Sequence, residues 1–481
     1  MTRTRSNAIW TFAITSIALF MVALDNLVVM TALPVIKADL GASLADLQWM
    51  VNAYTLTFAV LLITGAALGD RFGRQRVFII GMGIFIGGSA LAALAPSTEI
   101  LIVARAIQGV GGAIVTPLTL TILSAAVPPE RRAVALGAWG GIAGLAIAIG
   151  PLVGGAIAEG LDWHWIFWVN VPIGLVVIPL AWFRLTETHG PESRLDIPGL
   201  GLISASLLAL VWGVINGNDL GWDSPQVVTS IVAGAALLIT FVAWEGRHAH
   251  PMLPMSFFRS RAFSAANAVS LLMFFGMFGS IFLLSQFFQV VQGYSPFQAG
   301  LRTLAWTGMP IIVAPIAGVL ADRIGGRPIL ATGMALQAVA LAWLAAIVSP
   351  TVAYEAMLVP FILAGIGMGL FFAPIANVVL SAVRHDEEGK ASGATNTIRE
   401  VGGVFGVAVL AAIFSANGDY GTPAAYVAGL QPAIAVGAAV VGLGALAALF
   451  IPARAGARAI APRRAVEPTG SGQPVGELDL A

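Results

Sequence analysis

The sequence contains the turn Leu68-Gly69-Asp70-Arg71-Phe72-Gly73-Arg74 and, later, a near copy of it, Gly318-Val319-Leu320-Ala321-Asp322-Arg323-Ile324-Gly325-Gly326-Arg327. Each copy follows the second long apolar segment of its part of the chain. Two copies that agree in sequence and in position predict an internal duplication, in which both halves repeat one helical plan. The alternative is two unrelated basic turns, which are common between apolar segments.

The composition places these halves in a membrane. Of the 481 residues, 58% are hydrophobic and 10% are charged, and the mean hydropathy is +0.90. A soluble domain carries about 25% charged residues. Apolar segments of about 20 residues cross a bilayer as helices, because a helix satisfies its own backbone polar groups. We therefore predict an all-α integral membrane protein.

The residue types exclude several kinds of chemistry. The chain has no cysteine, which excludes disulfides and sites built on a thiolate. Its five histidines fall in predicted loops, and the sequence contains no Walker lysine motif for ATP hydrolysis. We expect no cofactor, no metal, no enzymatic activity and no nucleic-acid partner.

The charges are sorted between the loops. Hydrophobic windows predict fourteen spans, of which the first, 9–34, is too long for a signal peptide. Nearly all Lys and Arg residues fall in one alternate set of loops, whereas the opposite set is acidic and contains Lys37 as its single cation. The positive-inside rule then predicts a multi-pass protein of the cytoplasmic membrane with both termini in the cytoplasm.

The spans and the repeat predict four parts of the chain. Residues 1–185 form a six-helix bundle, 186–262 form a two-helix insertion with linkers, and 263–452 form the second six-helix bundle. Residues 453–481, rich in Arg, Pro, Gly and Ala, form a disordered cytoplasmic tail.

Further motifs occur in order at matching spans. They are Leu101-Ile102-Val103-Ala104-Arg105-Ala106-Ile107-Gln108-Gly109, Gly150-Pro151-Leu152-Val153-Gly154-Gly155, the segment 163–174, Gly293-Tyr294-Ser295-Pro296 and Gly393-Ala394-Thr395-Asn396-Thr397-Ile398-Arg399. With these motifs the chain resembles the major facilitator superfamily, specifically its fourteen-span drug:proton antiporter branch. The resemblance extends from about residue 17 to residue 415 and implies that family's fold, two six-helix bundles plus two central helices.

The resemblance also implies a function. It predicts a monomer that exports hydrophobic, cationic drugs or toxic compounds across the bilayer in exchange for protons, with the proton gradient as energy source. The same machinery also suits a dedicated exporter of an endogenous metabolite, peptide or lipid. The Gly150–Gly155 motif argues against uptake by symport. A membrane-embedded enzyme or sensor would need clustered catalytic residues or a soluble domain, and the sequence indicates neither.

Four charged residues within the spans are the predicted site of proton coupling and cation recognition: Asp25, Arg105, Arg399 and Glu400. An ionised side chain is costly in hydrocarbon, so each should face the bundle interior or a wet cavity. Asp25 matches the family's coupling aspartate, although Leu27 and Met30 make its surroundings less polar than is usual. The alternative for Asp25 is a local cap or pair near the interface.

Arg105 and Glu400 each have two interpretations. Arg105 either lies beside the proton pathway or is a structural arginine bonded to backbone carbonyls of the first span. Glu400 is either a second protonation or cation site, on one face with Asn396, or a structural partner of Arg399.

Two motifs predict moving parts. Pro151 bends the fifth span, and Gly150, Gly154 and Gly155 allow close approach of neighbouring helices, which predicts either a dynamic seam or ordinary small-residue packing. The charged turns predict a cytoplasmic latch, or else serve only to set the topology. The predicted latch residues are Asp70, Arg71, Gly73, Arg74, Asp322, Arg323 and Arg327.

The substrate cavity is the least specific prediction. Aromatic and amide side chains on plausible cavity helices are candidates, because aromatic rings bind lipophilic cations by stacking and cation–π contact. The candidates are Trp49, Tyr54, Phe275, Gln286, Gln289, Trp306 and Asn396. About half of them should touch substrate, since most aromatic residues of a membrane protein face lipid or the interface.

Overall fold

The computed structural model describes residues 2–190, 195–384 and 387–453. Apart from residue 453, the predicted tail lies outside the described residues. The described ranges contain fourteen helices that are long and apolar enough to cross a membrane. They are α1 (Thr2–Leu40), α2 (Leu44–Phe72), α3 (Arg74–Ala93), α4 (Thr98–Ala126), α5 (Pro129–Gly160), α6 (Trp165–Arg184), α7 (Ile197–Leu220), α8 (Pro225–Glu245), α9 (Arg261–Val290), α10 (Pro296–Ile324), α11 (Gly326–Ile347), α12 (Tyr354–Ser381), α13 (Glu388–Asn417) and α14 (Pro423–Ala448).

The predicted all-α fold with fourteen spans is confirmed. Two spans are interrupted where the prediction had continuous helices. Helix α6 consists of Trp165–Trp168 and Asn170–Arg184, and α10 consists of Pro296–Thr307 and Met309–Ile324. Proline at position 310 removes an amide donor just after the break in α10.

In both repeated turns a glycine with a positive φ angle joins the two helices. Gly73 links α2 to α3 with φ 104°, and Gly325 links α10 to α11 with φ 86°. A residue with a Cβ is strained at such angles, so glycine lets each helix pair turn within a single residue. The repeat seen in the sequence is therefore a repeat of geometry at the same place in both halves.

Helices α1–α6 pack mainly on one another, and α9–α14 do the same; we call the two sets the first and the second bundle. The second bundle has a phenylalanine-rich core, with rings such as Phe282, Phe287 and Phe288 fully buried. Helices α7 and α8 pack against each other, where Ser206 Oγ donates to the Gly234 carbonyl at 2.8 Å. Helix α7 also packs its Leu207 and Val211 against α2 and α13. The central pair therefore lies beside the junction of the bundles.

The two ends of the molecule differ in charge. We call the end with the Asp70–Arg74 and Asp322–Arg327 turns the basic face, and the opposite end the acidic face. At the acidic face the Trp163 indole donates to Asp39 Oδ2 at 2.9 Å. At the basic face the Gly190 amide donates to the Asp70 carbonyl at 3.1 Å. At each end, the two bonded segments come from loops that the sequence had assigned to the same side of the membrane.

The bundles contact each other toward the acidic face. Gln289 Nε2 donates to the Thr31 carbonyl at 2.8 Å, which joins α9 to α1. The Phe297 amide donates to Glu159 at 3.0 Å, which joins α10 to α5. At the same end Lys37 Nζ lies 3.1 Å from the ring centroid of Tyr420. The acidic face is therefore closed by contacts between the halves.

One surface of α5 contacts α10 near the acidic face and loses this contact toward the basic face. A Cβ added at Gly155 would lie 2.2 Å from the Pro296 carbonyl oxygen, and Thr307 Oγ1 donates to the Ala148 carbonyl at 2.8 Å. Farther along this surface, at helical spacing, a Cβ at Gly144, Gly141 or Gly137 would meet no heavy atom within 4 Å. Helices α5 and α10 thus diverge, and this side of the molecule is open toward the basic face. On the other side α2 and α13 stay joined, because Thr397 Oγ1 donates to the Ala59 carbonyl at 3.1 Å.

Bulky residues at the two ends of this α5 surface are predicted to have opposite effects. Gly155→Leu overpacks the closed acidic-face contact by about 1–3 kcal/mol, so the basic face should close. Gly144→Leu fits the open state and obstructs closure, so the basic face should stay open. Because the chain lacks cysteine, spin labels at Ala125→Cys and Gly389→Cys would report the distance across the basic face by double electron–electron resonance.

The matched control is Gly83→Leu on α3, a site where an added Cβ also meets nothing within 4 Å. It should leave the distance distribution unchanged. The geometric account would be contradicted if Gly155→Leu gave the same distribution as Gly83→Leu.

Candidate functional site

The first bundle contains a buried ion pair. Asp25 on α1 is 3% exposed and Arg105 on α4 is 1% exposed. Arg105 Nη1 donates to Asp25 Oδ2 in a short charge-assisted hydrogen bond. Removing both groups from water costs several kcal/mol each, so such a pair persists only when its remaining polar atoms are also satisfied.

Two amide side chains complete the coordination of Asp25. Gln108 Nε2 and Asn170 Nδ2 donate to Asp25 Oδ1 at 3.1 and 3.0 Å. Both amides also donate to Ser89 Oγ, at 2.6 and 3.1 Å. Gln108 Oε1 in turn accepts from Arg105 Nη1 at 2.9 Å. We call these five residues, Asp25, Ser89, Arg105, Gln108 and Asn170, the polar cluster, and they come from α1, α3, α4 and α6.

The second helix closes the cluster from the side. Arg105 Nε donates to the Met50 carbonyl at 3.2 Å, and its guanidinium lies 4.3 Å from the ring centroid of Tyr54. Tyr54 in turn donates its hydroxyl to the Val22 carbonyl of α1 at 3.0 Å. Arg105 is therefore held by a carboxylate, an amide, a carbonyl and an aromatic face. The carbonyl belongs to α2, not to the first span.

Glycines explain how short side chains reach across four helices. A Cβ at Gly88 would lie 2.8 Å from the Gln108 amide nitrogen, and a Cβ at Gly109 would lie 2.4 Å from the Tyr54 carbonyl oxygen. Helix α4 can approach α3 and α2 this closely only because both positions lack a side chain. The Arg105–Gly109 motif thus provides both the charge and the space for it.

The second charged group lies on α13. Arg399 Nη1 donates to Asn396 Oδ1 at 3.1 Å, and its guanidinium stacks 4.4 Å from the Phe274 ring centroid. Among the described residues Glu400 forms no ion pair, and its buried Oε2 has no hydrogen-bond partner. Arg399 thus bonds to Asn396 and contacts the aromatic ring, whereas Glu400 is a half-buried residue whose Oε2 is buried without a hydrogen-bond partner.

The repeated turns differ between the halves. In the first, Asp70 Oδ1 accepts from Arg74 at 2.7 Å, and Glu187 caps α3 by accepting from the Gln75 amide at 2.9 Å. The linker after α6 therefore braces this turn. In the second, Asp322 and Arg323 are exposed, and within the described ranges they and Arg327 form no ion pair. In this open state neither turn links one bundle to the other through a salt bridge between described residues.

The Gly150–Gly155 segment contacts two helices. A Cβ at Gly150 would lie 2.9 Å from Leu27 Cβ, and one at Gly154 would lie 2.4 Å from the Val28 carbonyl oxygen. Gly155 faces α10 instead. Since Val28 is one helical turn from Asp25, the seam and the polar cluster share the same stretch of α1.

The seven predicted cavity residues do not form one group in this state. Trp49 packs with Leu207 and Val211 on the side of α7, away from the opening. Trp306 is completely buried, with its ring 6.0 Å from that of Phe361. An aromatic residue is compatible with any face of a membrane helix. The sequence alone therefore could not separate these residues by the face on which they lie.

The other predicted cavity residues serve different contacts. Gln286 Oε1 accepts from the Tyr420 hydroxyl at 2.6 Å near the acidic face, and Gln289 bonds to α1. Tyr54 and Asn396 contact the two arginines, while Phe275 is half-buried at the α9–α13 contact. Of the seven, only Tyr54 and Asn396 lie beside the buried charges.

Sequence reasoning missed several residues of the site. Gln108 lies one helical turn from Arg105, which is a usable signal for a shared face. Asn170 follows the break in α6. The motif 163–174 singled out the segment around it, but the sequence did not predict its hydrogen bond to Asp25. Nothing in the local sequence distinguishes Ser89 from other small residues of α3, and Glu187 is separated from its turn by four helices.

Comparison with known proteins places this architecture in a family. The family model described as Major Facilitator Superfamily matches residues 15–407. The chain belongs to the major facilitator superfamily.

Relatives in this superfamily are named for resistance and export. The chain is 34% identical to the tetracenomycin C resistance and export protein of Streptomyces glaucescens, over 84% of this chain and 75% of that protein. It is 35% identical to the multidrug resistance protein Stp of Mycobacterium tuberculosis, over 84% and 76%. It is 37% identical to the cephamycin export protein of Amycolatopsis lactamdurans, over 84% of both.

Solved structures share the superfamily fold. A POT family transporter in complex with 5-aminolevulinic acid matches with a TM-score of 0.68 and 13% identity, over 92% of this chain and 95% of that one. A bacterial homologue of the lysosomal transporter Spinster, in an inward-facing and unoccupied conformation, matches with a TM-score of 0.65 and 14% identity, over 92% and 97%. The chain is therefore a multi-pass membrane transporter rather than an enzyme.

The paired charges of the polar cluster predict a non-additive stability cycle. Arg105→Gln leaves the Asp25 carboxylate buried without its cation, which should cost about 3–5 kcal/mol. Adding Asp25→Asn removes the unpaired charge, so the double variant should be more stable than Arg105→Gln alone. Thermal unfolding of the detergent-solubilised protein measures both.

Neutralisation of an exposed cation supplies the control for this cycle. Arg131→Gln at the start of α5 should change the unfolding temperature little, because exposed charges contribute about 0–1 kcal/mol. Additive effects of the two cluster substitutions would show that Asp25 and Arg105 do not stabilise each other.

Proposed function

We propose that this transporter exports hydrophobic, cationic drugs or other toxic small molecules across the cytoplasmic membrane in exchange for protons. One observation carries the proposal: two acidic side chains lie within the spans of opposite bundles, Asp25 with a full set of hydrogen bonds and Glu400 with a buried oxygen that has no hydrogen-bond partner among the described residues. The names of the relatives support the substrate class, since they are multidrug and antibiotic resistance proteins.

The basic face is the cytoplasmic one in this proposal. The positive-inside rule supports this orientation, and it places both termini in the cytoplasm. The open arrangement of α5 and α10 is then the inward-facing state, from which a cytoplasmic substrate enters. The glycine surface at Gly137, Gly141 and Gly144 is the surface against which α10 closes when the transporter turns outward.

Asp25 supplies the proton-sensitive contact. While it is ionised, both of its oxygens accept hydrogen bonds from the polar cluster. Protonation removes the charge opposite Arg105 and turns one acceptor oxygen into a donor. Because the guanidinium stays charged, the cluster has to rearrange. Since α1 packs on α5 one turn away, at Val28, this rearrangement acts on the α1–α5 contact, and the neighbouring face of α5 contacts the second bundle at Gly155.

Glu400 supplies the group for which substrate and proton compete. Its carboxylate has no hydrogen-bond donor or cation bonded to it among the described residues. A buried unpaired carboxylate is costly, so it favours either a proton or a cationic ligand. Phe274 and Tyr54 provide aromatic faces nearby for a lipophilic cation, although in this state both already contact an arginine.

The proton gradient is the energy source, and no cofactor is required. One elementary charge that moves through 100 mV releases roughly 2.3 kcal/mol. That energy is sufficient to drive rearrangement of packed helices, and a pH gradient adds to it. The transporter acts as a monomer in this scheme, because both acidic groups belong to one chain.

A second candidate is a dedicated exporter of one endogenous compound. It is favoured by relatives named for a single product, among them the actinorhodin transporter of Streptomyces coelicolor and the cephamycin export protein. A susceptibility panel in a host without background pumps separates the two. Protection against several unrelated cations supports multidrug export, and protection against one compound supports the alternative.

Transport by purified protein in liposomes tests the proposed roles. With a pH gradient imposed across the liposome membrane, the wild type should accumulate tetraphenylphosphonium, and collapse of the gradient should stop it. Asp25→Asn and Glu400→Gln should each lower gradient-driven transport at least about tenfold, which corresponds to ~1.4 kcal/mol.

Glu355→Gln is the matched control, because Glu355 is an exposed carboxylate at the acidic end of α12. It should transport like the wild type. Accumulation that ignores the pH gradient would refute proton coupling. Full coupled transport by Asp25→Asn would remove Asp25 from the mechanism.

A further inference from the structure

The second bundle has a groove on its outer side that the transport mechanism does not use. It lies at the basic face, where α9 and α11 begin and α14 ends, and has a volume of about 790 Å³. Arg261 and Arg327 line it together with Ala265, Ala268, Leu449 and Phe450. The polar cluster belongs to the other bundle, so the groove is separate from the proposed coupling site.

The two arginines are available to a ligand. Within the described residues, neither Arg261 nor Arg327 has a salt bridge or a side-chain hydrogen bond, and no carboxylate lines the groove. The one hydroxyl group in the wall, that of Ser264, is engaged with the Phe258 carbonyl at 2.6 Å. Both arginines lie in the first turn of a helix, where the dipole adds positive potential. The electrostatics therefore favour an anion.

The rest of the wall is apolar and turned outward. Leu449 is 48% exposed and Phe450 is 74% exposed, directly after the last membrane-spanning helix ends. Ala268 on α9 is also exposed, two turns inside the span from Arg261. Such a wall, at the depth where the spans meet the basic loops, lies against lipid acyl chains and not against water.

We propose that this groove binds one anionic phospholipid. The two guanidinium groups hold its phosphate, since guanidinium matches phosphate geometry and keeps its charge. An acyl chain lies along Ala265, Ala268 and Phe450. The groove combines an apolar wall with two cations that have no partner among residues 2–190, 195–384 and 387–453. A phospholipid has the complementary combination, whereas a free anion would leave the wall exposed.

Charge argues against residues 454–464, which follow the groove residue Pro452 in the sequence, as the occupant; the acidic residues Glu467, Glu477 and Asp479 come later in the chain. Residues 454–464 carry Arg454, Arg458, Arg463 and Arg464 and no acidic residue. A segment of that composition is repelled by two arginines. Near an anionic headgroup region the same residues would strengthen lipid attraction.

Native mass spectrometry of the purified full-length transporter tests the proposal. The protein is titrated with phosphatidylglycerol, and the retained lipid is counted for the wild type, for Arg261→Gln/Arg327→Gln, and for the control Arg247→Gln/Arg259→Gln. The control removes two exposed arginines of the same face that lie outside the groove. Affinity should fall by about thirtyfold in the groove variant, because each basic residue near anionic lipid contributes about fivefold.

Two further arms identify the ligand. Phosphatidylcholine and inorganic phosphate should each bind at least about tenfold more weakly than phosphatidylglycerol. The charge-conserving variant Arg261→Lys/Arg327→Lys should retain most of the binding, which guards against misfolding of the glutamine variant.

Several results would overturn the proposal. Equal phosphatidylglycerol retention by the groove variant and its control would show that the groove is not the site. Phosphate that displaces the lipid at matched concentration would identify a free-anion site. Lipid binding that appears only when residues 454–481 are deleted would identify the tail as the occupant.

Discussion

The structure depends on the energetic demand of one ion pair buried away from water. Asp25 and Arg105 are stable inside the first bundle because Gln108, Asn170 and the Met50 carbonyl satisfy their remaining polar atoms. Ser89 in turn accepts hydrogen bonds from both amides. That requirement fixes four helices relative to one another. In the proposed mechanism the same requirement makes the cluster responsive, since a proton on Asp25 changes the three hydrogen bonds that its two oxygens accept. A bundle with an apolar core at this place would be equally compact and would have no such response.

The pair acts on the rest of the molecule through the seam of α1 with α5. Gly150 and Gly154 bring the α5 backbone against Leu27 and Val28, one turn from Asp25, and the neighbouring face of α5 contacts α10 through Gly155. Toward the basic face this second contact is lost. This helix surface thus has a tight end and an open end, and Asp25, the proposed proton-binding group, lies beside the transition. This geometry is what a rocking motion between two bundles requires.

The fold could be predicted from sequence because its signals are averages over many residues. A misjudged residue changes little in the hydropathy of a span, in the charge of the loops or in a repeated glycine turn. The structure confirms the fourteen predicted spans. The polar cluster was predictable only in part. Asp25 and Arg105 stand out as charges in apolar surroundings, but Ser89 and Asn170 acquire their meaning from helix packing. The cavity was the weakest prediction, because an aromatic residue on a membrane helix faces core, lipid or substrate with similar patterning, as Trp49 and Trp306 illustrate.

The central claim is that binding of a cationic substrate and binding of protons are mutually exclusive at the buried carboxylates. Proton release on substrate binding measures this directly: the purified transporter in weakly buffered detergent is mixed with tetraphenylphosphonium while a pH indicator is recorded. The account predicts proton release by the wild type near neutral pH, with loss of the signal in the Asp25→Asn/Glu400→Gln double variant. Substrate binding by the wild type without any proton release would contradict it.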